Sequence, residues 1–331
     1  MPNRLLQAES VAIVGLEKNT GKTTFLNYLI EQNRAGQRRL ALTSIGYDGE
    51  ATDLVTKTAK PRIYVPGGTL VATARRLMKR CQVEKDILLM SGIPSALGEI
   101  VIFKTLDDGF VELAGPGTIE QTKLLKTMIQ QLDRDALMIV DGALSRLSSA
   151  GHGLAEKIVL CTGASVHPDQ ATVIQQTMLA VRLLQLPVVW LEDDVMQAFT
   201  NNDYVIAGED IRSGKFAGPL EISQILQAVK KSDDLIGING VITQAMMNEI
   251  LSYEDLENIR LIGQDPTRFF LDQATYDRLV RRNIILQVLQ SSELAMVVVN
   301  PYAPKGPGFG PDFLETLTKL ITVDVIDVRR Q

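Results

Sequence analysis

The stretch VAIVGLEKNTGKTTFLNYLI, residues 11 to 30, constrains the fold of this chain more than any other. An apolar run ends at Gly15, a polar turn follows, and Gly21-Lys22-Thr23 opens a segment with helical apolar spacing. Such a turn directs backbone N–H groups at the start of a helix toward a phosphate. The usual pattern has about four residues between its glycines, and here five separate Gly15 from Gly21. The stretch predicts a phosphate-binding loop of unusual length.

Each residue type in this loop has an expected role toward a nucleoside triphosphate. Gly21 permits close approach of the backbone, Lys22 reaches the β- and γ-phosphates, and the Thr23 hydroxyl binds Mg²⁺. We expect ATP as the nucleotide. GTP is not excluded, because the chain has no Asn-Lys-x-Asp motif that would identify the base. The structural alternative is a strand-to-helix turn with a chance Lys-Thr pair. The predicted nucleotide-binding residues are Gly15, Lys18, Asn19, Thr20, Gly21, Lys22, Thr23 and Thr24.

Two carboxylates are candidates for holding the magnesium ion. Asp141 ends the apolar run ALMIV, and Asp48 follows the strand-like run LALTSI, so both are expected at the carboxyl edge of a parallel sheet. Each aspartate precedes a glycine, and a plain turn is the alternative interpretation for both. With Thr23 they form the predicted metal site, and with Lys22 they form the predicted catalytic set.

The remaining sequence alternates strand-like and helix-like segments, which indicates the α/β class with a mostly parallel sheet flanked by helices. Alternation around Asp108-Gly109 predicts a β-hairpin appendage. We predict a nucleotide-binding domain over 1–195 and a second α/β domain over 196–331. GTLVATA, residues 68 to 74, is interpreted as a helix-starting turn.

The stretch VVVNPYAPKGPGFGPDF, residues 297 to 313, begins with the end of a strand-like run, which Asn300 and a segment dense in Pro, Gly and aromatic residues follow. Such a segment either contacts a base, a partner or the other domain, or serves as a stiff connector. The residues do not choose between these alternatives.

Charge and composition exclude several classes of function. The net charge is −5 and the basic residues are scattered, which argues against nucleic acid as a partner. No apolar stretch approaches the ~20 residues that span a membrane, and we expect a soluble, cytoplasmic protein. Cys81 and Cys161 are far apart, which indicates core packing rather than a disulfide or zinc site.

The spacing of Gly15 and Gly21-Lys22-Thr23 resembles the loop of dethiobiotin synthetase and the cobyrinic-acid synthases. Asp141-Gly142-Ala143 resembles the magnesium-binding strand end of that group, and Asp48 matches a second ligand. The resemblance implies a P-loop NTPase fold. However, dethiobiotin synthetase has Lys-Pro-Val after its second strand, where this chain has Thr43-Ser44-Ile45. The Cys–His pair of the cobyrinic-acid glutaminase domain has no counterpart.

A wider resemblance rests on several stretches, which are GLEKNTGKTT, LTSIGYDGE, PGGTLVATA, VELAGPG, IVDGALSR and VNPYAPKGPGF. Together they are similar to the small subunit of a reactivase for adenosylcobalamin-dependent lysine or ornithine aminomutases. That resemblance implies an ATP·Mg-binding regulatory protein, with a MutS-like ATPase and the aminomutase as partners. It also implies weak or partner-stimulated ATPase activity, and the wider class implies a homodimer. The alternatives are a small-molecule ligase or kinase of the dethiobiotin synthetase type and a non-hydrolysing interaction module.

Overall fold

The computed structural model describes residues 2–36, 38–46, 62–143, 155–216, 222–253, 256–303 and 306–329. The chain forms two compact units, one of Met1–Thr177 with Ser292–Gln331 and one of Met178–Ser291. This division differs from the predicted one at residue 195, because the last forty residues return to the first unit. A strand-like pattern reveals that a strand exists but not which strand it pairs with, so this return is invisible in the sequence.

The described helices and strands follow one another along both units. The helices are α1 (Pro2–Leu6), α2 (Lys22–Gly36), α3 (Arg75–Met78), α4 (Ile119–Leu132), α5 (Gln170–Leu184), α6 (Asp193–Asn201), α7 (Ile222–Ala228), α8 (Gln244–Ile250), α9 (Gln273–Arg281) and α10 (Pro311–Leu320). The strands are β1 (Ser10–Gly15), β2 (Leu40–Ser44), β3 (Ile63–Val65), β4 (Leu70–Ala74), β5 (Lys85–Met90), β6 (Ile100–Thr105), β7 (Gly109–Val111), β8 (Leu137–Ala143), β9 (Lys157–Gly163), β10 (Tyr204–Ala207), β11 (Ile211–Gly214), β12 (Leu235–Ile238), β13 (Arg260–Gly263), β14 (Ile285–Val288), β15 (Glu293–Asn300) and β16 (Asp324–Ile326).

The first unit contains a nine-stranded sheet with the order β16-β15-β9-β1-β8-β2-β4-β6-β5. The pairs from β16 to β4 are parallel, and β6 is antiparallel to both β4 and β5. The predicted α/β class with a mostly parallel sheet flanked by helices is confirmed. β1 lies between β8 and β9, so its end is surrounded by the ends of other parallel strands.

The core of the first unit explains why its central strands are continuously apolar in sequence. Every residue of β1, β2 and β4 is buried, as expected for parallel strands covered on both faces. Phe25, Leu26 and Leu29 bring the apolar face of α2 into the same cluster as Val11 and Ile13 of β1. This packing fixes the start of α2 against the end of β1.

The predicted hairpin at Asp108-Gly109 is wrong. β6 and β7 join different sheets, since β6 pairs with β4 and β5 while β7 pairs antiparallel with β3. A two-residue type I′ hairpin needs positive φ at both central residues, and neither Asp108 nor Gly109 has one. Gly109 is instead required by close packing, because a Cβ there would lie 2.2 Å from the carbonyl oxygen of Gln82. Between β6 and β7, the Asp107 carboxylate accepts from the Glu84 N–H at 2.6 Å.

The interpretation of GTLVATA as a helix-starting turn is also wrong, because its last residues form β4. Thr73 is buried there, and its hydroxyl donates to the Glu112 carbonyl at 3.0 Å. The short helix α3 begins only after this strand, at Arg75.

The second unit has a five-stranded sheet with the order β11-β10-β12-β13-β14. β12, β13 and β14 are parallel, whereas β10 runs antiparallel to its two neighbours. Its core is formed by the buried strands with α7, α8 and α9, and includes Ile236, Met247, Leu261 and Leu279. Across the described part of the chain, no helix combines the length and apolar character needed to cross a membrane.

Candidate functional site

The carboxyl ends of the parallel strands meet at one edge of the nine-stranded sheet. Gly15 at the end of β1 lies beside Ala143 of β8 on one side and Cys161 of β9 on the other. Farther out, Ser44 pairs with β8 and Asn300 pairs with β9. Ligands of open α/β sheets bind at this edge, where loops connect strands to helices. The loop from Gly15 to Lys22, called the 15–22 loop below, is at the centre of this edge.

Gly15 is required by the side chains that fold over it. A Cβ at this position would lie 2.3 Å from the Thr20 hydroxyl oxygen and 2.8 Å from the Lys22 Nζ atom. It would also lie 3.0 Å from the carbonyl oxygen of Glu17. The early glycine therefore leaves space for the lysine ammonium and the threonine hydroxyl on top of the end of β1.

The backbone of the loop is left-handed at two positions. Asn19 has φ 62° and Gly21 has φ 94°, and they flank the buried Thr20. Asparagine and glycine are the residues that adopt positive φ most readily. Alternation of right- and left-handed residues turns successive N–H groups toward one side and forms an anion-binding concavity. The local geometry is of the kind that binds phosphate.

Lys22 and Thr20 converge on a single backbone oxygen. The Lys22 Nζ atom donates to the Glu17 carbonyl at 3.1 Å, and the Thr20 hydroxyl donates to the same oxygen at 3.0 Å. The lysine therefore folds back across the loop. Its ammonium lies above the loop and brings a positive charge to the site.

The start of α2 supplies further hydrogen-bond donors. Phe25 N–H donates to the Gly21 carbonyl at 2.9 Å and closes the first turn. Lys22, Thr23 and Thr24 are half-buried in that turn. The N–H groups that open an α-helix have no partner within it, and the helix dipole makes this end electropositive. The predicted loop residues from Thr20 to Thr24 thus lie together at the helix start.

Asp141 lies on β8, next to β1, in register with Ile13 on one side and Ser44 on the other. Its carboxyl Oδ1 atom is buried, and its backbone carbonyl accepts from the Ile45 N–H at 2.9 Å. Burial raises the pKa of the Cys161 thiol, on the other side of β1 in β9, to about 12, with the positive charge of Lys22 opposing this rise and the negative charge of Asp141 adding to it.

The other predicted ligands are placed differently. Asp48 lies outside the described residues. Lys18 is exposed at the tip of the 15–22 loop. In the described part of the chain, no group of three or more His, Cys, Asp and Glu side chains could hold a metal ion alone. A site that combines one carboxylate, one hydroxyl and the oxygens of a bound phosphate would not require such a group.

Asn300, at the end of β15, contacts the 15–22 loop. Its side-chain amide donates to the Asn19 carbonyl at 2.8 Å. The sequence analysis left the role of the stretch that contains Asn300 undecided and did not include this residue among the predicted site residues. The sequence feature that could have identified it is an asparagine at the end of an apolar strand. In the structure, Asn300 pairs with Gly163 of β9, where a Cβ would lie 1.9 Å from the Asn300 carbonyl oxygen.

The end of β2 is closed by another part of the chain. The Ser44 hydroxyl accepts from the Gly115 N–H at 2.9 Å and donates to the Gly46 carbonyl at 3.0 Å. Gly46 N–H in turn donates to the Pro116 carbonyl at 2.7 Å. A Cβ at Gly115 would lie 1.7 Å from the Ser44 carbonyl oxygen. Residues 115 and 116 therefore cover the strand end next to Asp141.

The chain was compared with models of protein families, with curated proteins and with solved structures, and none of the three comparisons found a match.

Proposed function

We propose that the chain binds a nucleoside triphosphate with Mg²⁺ at the 15–22 loop. The observation that carries this proposal is the space above Gly15, which a Cβ would fill and which the Lys22 ammonium and the Thr20 hydroxyl share. A glycine is needed there only if these two groups have to lie over the end of the strand. The left-handed residues Asn19 and Gly21 add a concavity of backbone donors at the same place.

The residues present fit a triphosphate and its metal ion. The N–H groups of the loop and of the first turn of α2 would bind phosphate oxygens, with Lys22 adding charge. The Thr23 hydroxyl and the Asp141 carboxylate would hold Mg²⁺, and Asp48 is proposed as a further ligand. Bound Mg²⁺ neutralises phosphate charge. A carboxylate whose oxygen is buried beside the loop, as in Asp141, suits a hard cation of this kind.

We further propose that nucleotide binding regulates another protein. By the resemblance above, that protein is an adenosylcobalamin-dependent lysine or ornithine aminomutase, with a MutS-like ATPase as a second partner. Dethiobiotin synthetase places its substrate lysine after the second strand, and here Ser44 is engaged by Gly115 at that place. This closed strand end favours a protein target over a small substrate. The γ-phosphate would supply the differential contact that a nucleotide-driven switch requires.

The second candidate function is a small-molecule ligase or kinase of the dethiobiotin synthetase type. The five-residue spacing between Gly15 and Gly21 favours it. A screen of amino acids, diamines and corrinoids for substrate-dependent ADP release separates the two candidates. Release with one of these compounds supports the ligase or kinase, whereas failure across all three classes removes it.

Binding is tested by titrating the protein with fluorescent ATP and GTP analogues in the presence of Mg²⁺. Lys22→Ala should weaken binding at least about tenfold, since a charge-assisted hydrogen bond contributes roughly 1.5–3 kcal/mol. The matched control is Lys126→Ala, because the Lys126 Nζ atom donates to the Ser10 hydroxyl at 3.1 Å at the opposite end of β1. Equal affinity of wild type and Lys22→Ala would exclude a nucleotide site in this loop.

The regulatory role is tested by measuring ATP hydrolysis with and without the partners. We expect slow hydrolysis by the protein alone and faster hydrolysis with the aminomutase or the MutS-like ATPase. Rates that neither partner changes would contradict the role. Light scattering with nucleotide bound tests the proposed homodimer, which a strictly monomeric complex would rule out.

A further inference from the structure

Asn300 joins the last long strand of the first unit to the 15–22 loop. Its Nδ2 atom donates to the Asn19 carbonyl at 2.8 Å, across 281 positions of sequence. Gly21 makes room for this contact, because a Cβ on Gly21 would lie 3.2 Å from the Asn300 Cβ. The asparagine therefore packs directly against the left-handed part of the loop.

Asn300 is itself held on both its backbone and its side chain. Its carbonyl accepts from the Ala164 N–H at 3.0 Å, and its Oδ1 atom accepts from the Tyr302 N–H at 3.3 Å. A side-chain amide has a donor end and an acceptor end. Because Tyr302 offers a donor and Asn19 offers an acceptor, the two partners fix one orientation of the Asn300 amide. The group that reaches the loop is thus held in place by Ala164, just after β9, and by Tyr302, just after β15.

The bond to Asn19 determines which way one peptide group of the loop faces. A trans peptide is planar, with its C=O and N–H groups pointing to opposite sides. Holding the Asn19 carbonyl toward Asn300 therefore directs the Thr20 N–H away from Asn300. Asn19 has φ 62°, a conformation that a non-glycine residue keeps only when its surroundings support it.

We propose that Asn300 is a positioning residue for phosphate binding, which sets the Asn19–Thr20 peptide so that the Thr20 N–H can donate to a polyphosphate. The inference rests on the proposed nucleotide site and names the part of the nucleotide that Asn300 affects. Asn300 acts through the loop backbone, so its effect concerns the phosphates and not the base. The ligand class is a di- or triphosphate chain bound with Mg²⁺.

The test uses the full-length variants Asn300→Leu and Asn300→Ala, which remove the donor without adding charge. Displacement of a fluorescent ATP analogue measures affinity for two probes, Mg·ATP and Mg·tripolyphosphate. Both variants should bind both probes about threefold to tenfold more weakly than wild type, the effect of one lost hydrogen bond. In the absence of nucleotide, hydrogen exchange in a peptide covering the 15–22 loop should be faster in both variants than in wild type. Exchange in β1 should be the same in all three proteins.

The matched control is Asn27→Leu. The Asn27 Nδ2 atom donates to the Arg62 carbonyl at 3.0 Å, and its Oδ1 atom accepts from the Tyr64 N–H at 3.1 Å, so it makes the same pair of bonds elsewhere in the unit. This variant should keep wild-type affinity for both probes. If Asn27→Leu loses as much affinity as Asn300→Leu, the effect of Asn300 is a general loss of stability and the proposal fails.

Three further outcomes would overturn the positioning role, and they separate it from the proposed function. Wild-type affinity of both Asn300 variants for both probes would remove the role and leave the nucleotide site standing. Weaker binding of ATP with unchanged binding of tripolyphosphate would assign Asn300 to the base. A wild-type protein that binds neither probe would remove both the site and the inference.

Discussion

The Lys22 Nζ atom lies 2.8 Å from the position that a Cβ on Gly15 would occupy. The lysine side chain thus folds back onto the residue that ends β1, with the whole loop between them. This contact gives the early glycine a physical reason, because the Lys22 ammonium and the Thr20 hydroxyl occupy the space that a side chain at residue 15 would need. The five-residue spacing therefore belongs to an intact packing arrangement.

Gly15→Ala adds only one methyl group, but we expect it to impair both nucleotide binding by the 15–22 loop and stability. The new methyl group would displace both the Lys22 ammonium and the Thr20 hydroxyl, so we expect affinity for Mg·ATP to fall at least about tenfold if one charge-assisted bond is lost. Overpacking at a buried strand end should also lower the free energy of unfolding by about 1–3 kcal/mol. Fluorescence titration and urea unfolding measure the two effects.

Gly117→Ala is the control for this substitution. No atom lies within 4 Å of a Cβ at Gly117, and its φ is not in the left-handed range. Its affinity and stability should therefore match wild type. A Gly15→Ala protein that also matches wild type in both measurements would show that the space above Gly15 is not needed.

Asp141→Asn should uncouple ATP binding from Mg²⁺. The amide keeps the volume but loses the negative charge that suits a divalent cation, so the gain in ATP affinity on adding Mg²⁺ should shrink about tenfold. Asp135→Asn is the control, because Asp135 is exposed and precedes the start of the same strand. If Mg²⁺ strengthens ATP binding equally in wild type and Asp141→Asn, the carboxylate is not a metal ligand.

Local patterns predicted much of the fold. Continuous apolar runs mark the parallel strands because β1 and β2 are buried on both faces. The Gly-Lys-Thr start of α2 also follows from the sequence. Asp141 lies on the strand next to β1, but β8 continues two residues beyond it, so Asp141 is level with Ile13 and not with Gly15 at the strand end. These features depend on residues close together in the chain, or on the general rule that parallel strands end at one edge.

The features that the sequence did not predict depend on contacts between distant residues. The pair Asp108-Gly109 is typical of a hairpin turn, but the glycine is needed because the backbone of Gln82 packs against it. Asn300 becomes part of the site only because β15 pairs with β9. Along the sequence, the whole second unit separates these two strands. Neither contact produces a recognisable pattern in the neighbouring residues of the chain. Local propensity and residue spacing were therefore insufficient to predict it.

Gly163→Ala should destabilise the pairing of β9 with β15. The added Cβ would lie 1.9 Å from the Asn300 carbonyl oxygen, and this backbone group cannot move without breaking its bond from the Ala164 N–H. We expect the free energy of unfolding to fall by about 1–3 kcal/mol or more. The midpoint of urea unfolding measures this, with Gly117→Ala as the reference. An unchanged midpoint would contradict the observed register at Gly163 and Asn300.

The buried Cys161 thiol should make the protein less stable at alkaline pH. Burial raises its pKa from 9.0 to about 12, so the unfolded chain loses this proton at a lower pH than the folded chain does. The stabilisation that comes from the raised pKa is complete below pH 9 and disappears as pH rises toward 12. Between pH 7.5 and pH 10.5, wild type should lose about 2 kcal/mol more unfolding free energy than Cys161→Ala, which has no thiol to titrate. Urea unfolding of both proteins at the two pH values measures this difference, and parallel losses would show that the thiol does not titrate as its burial requires.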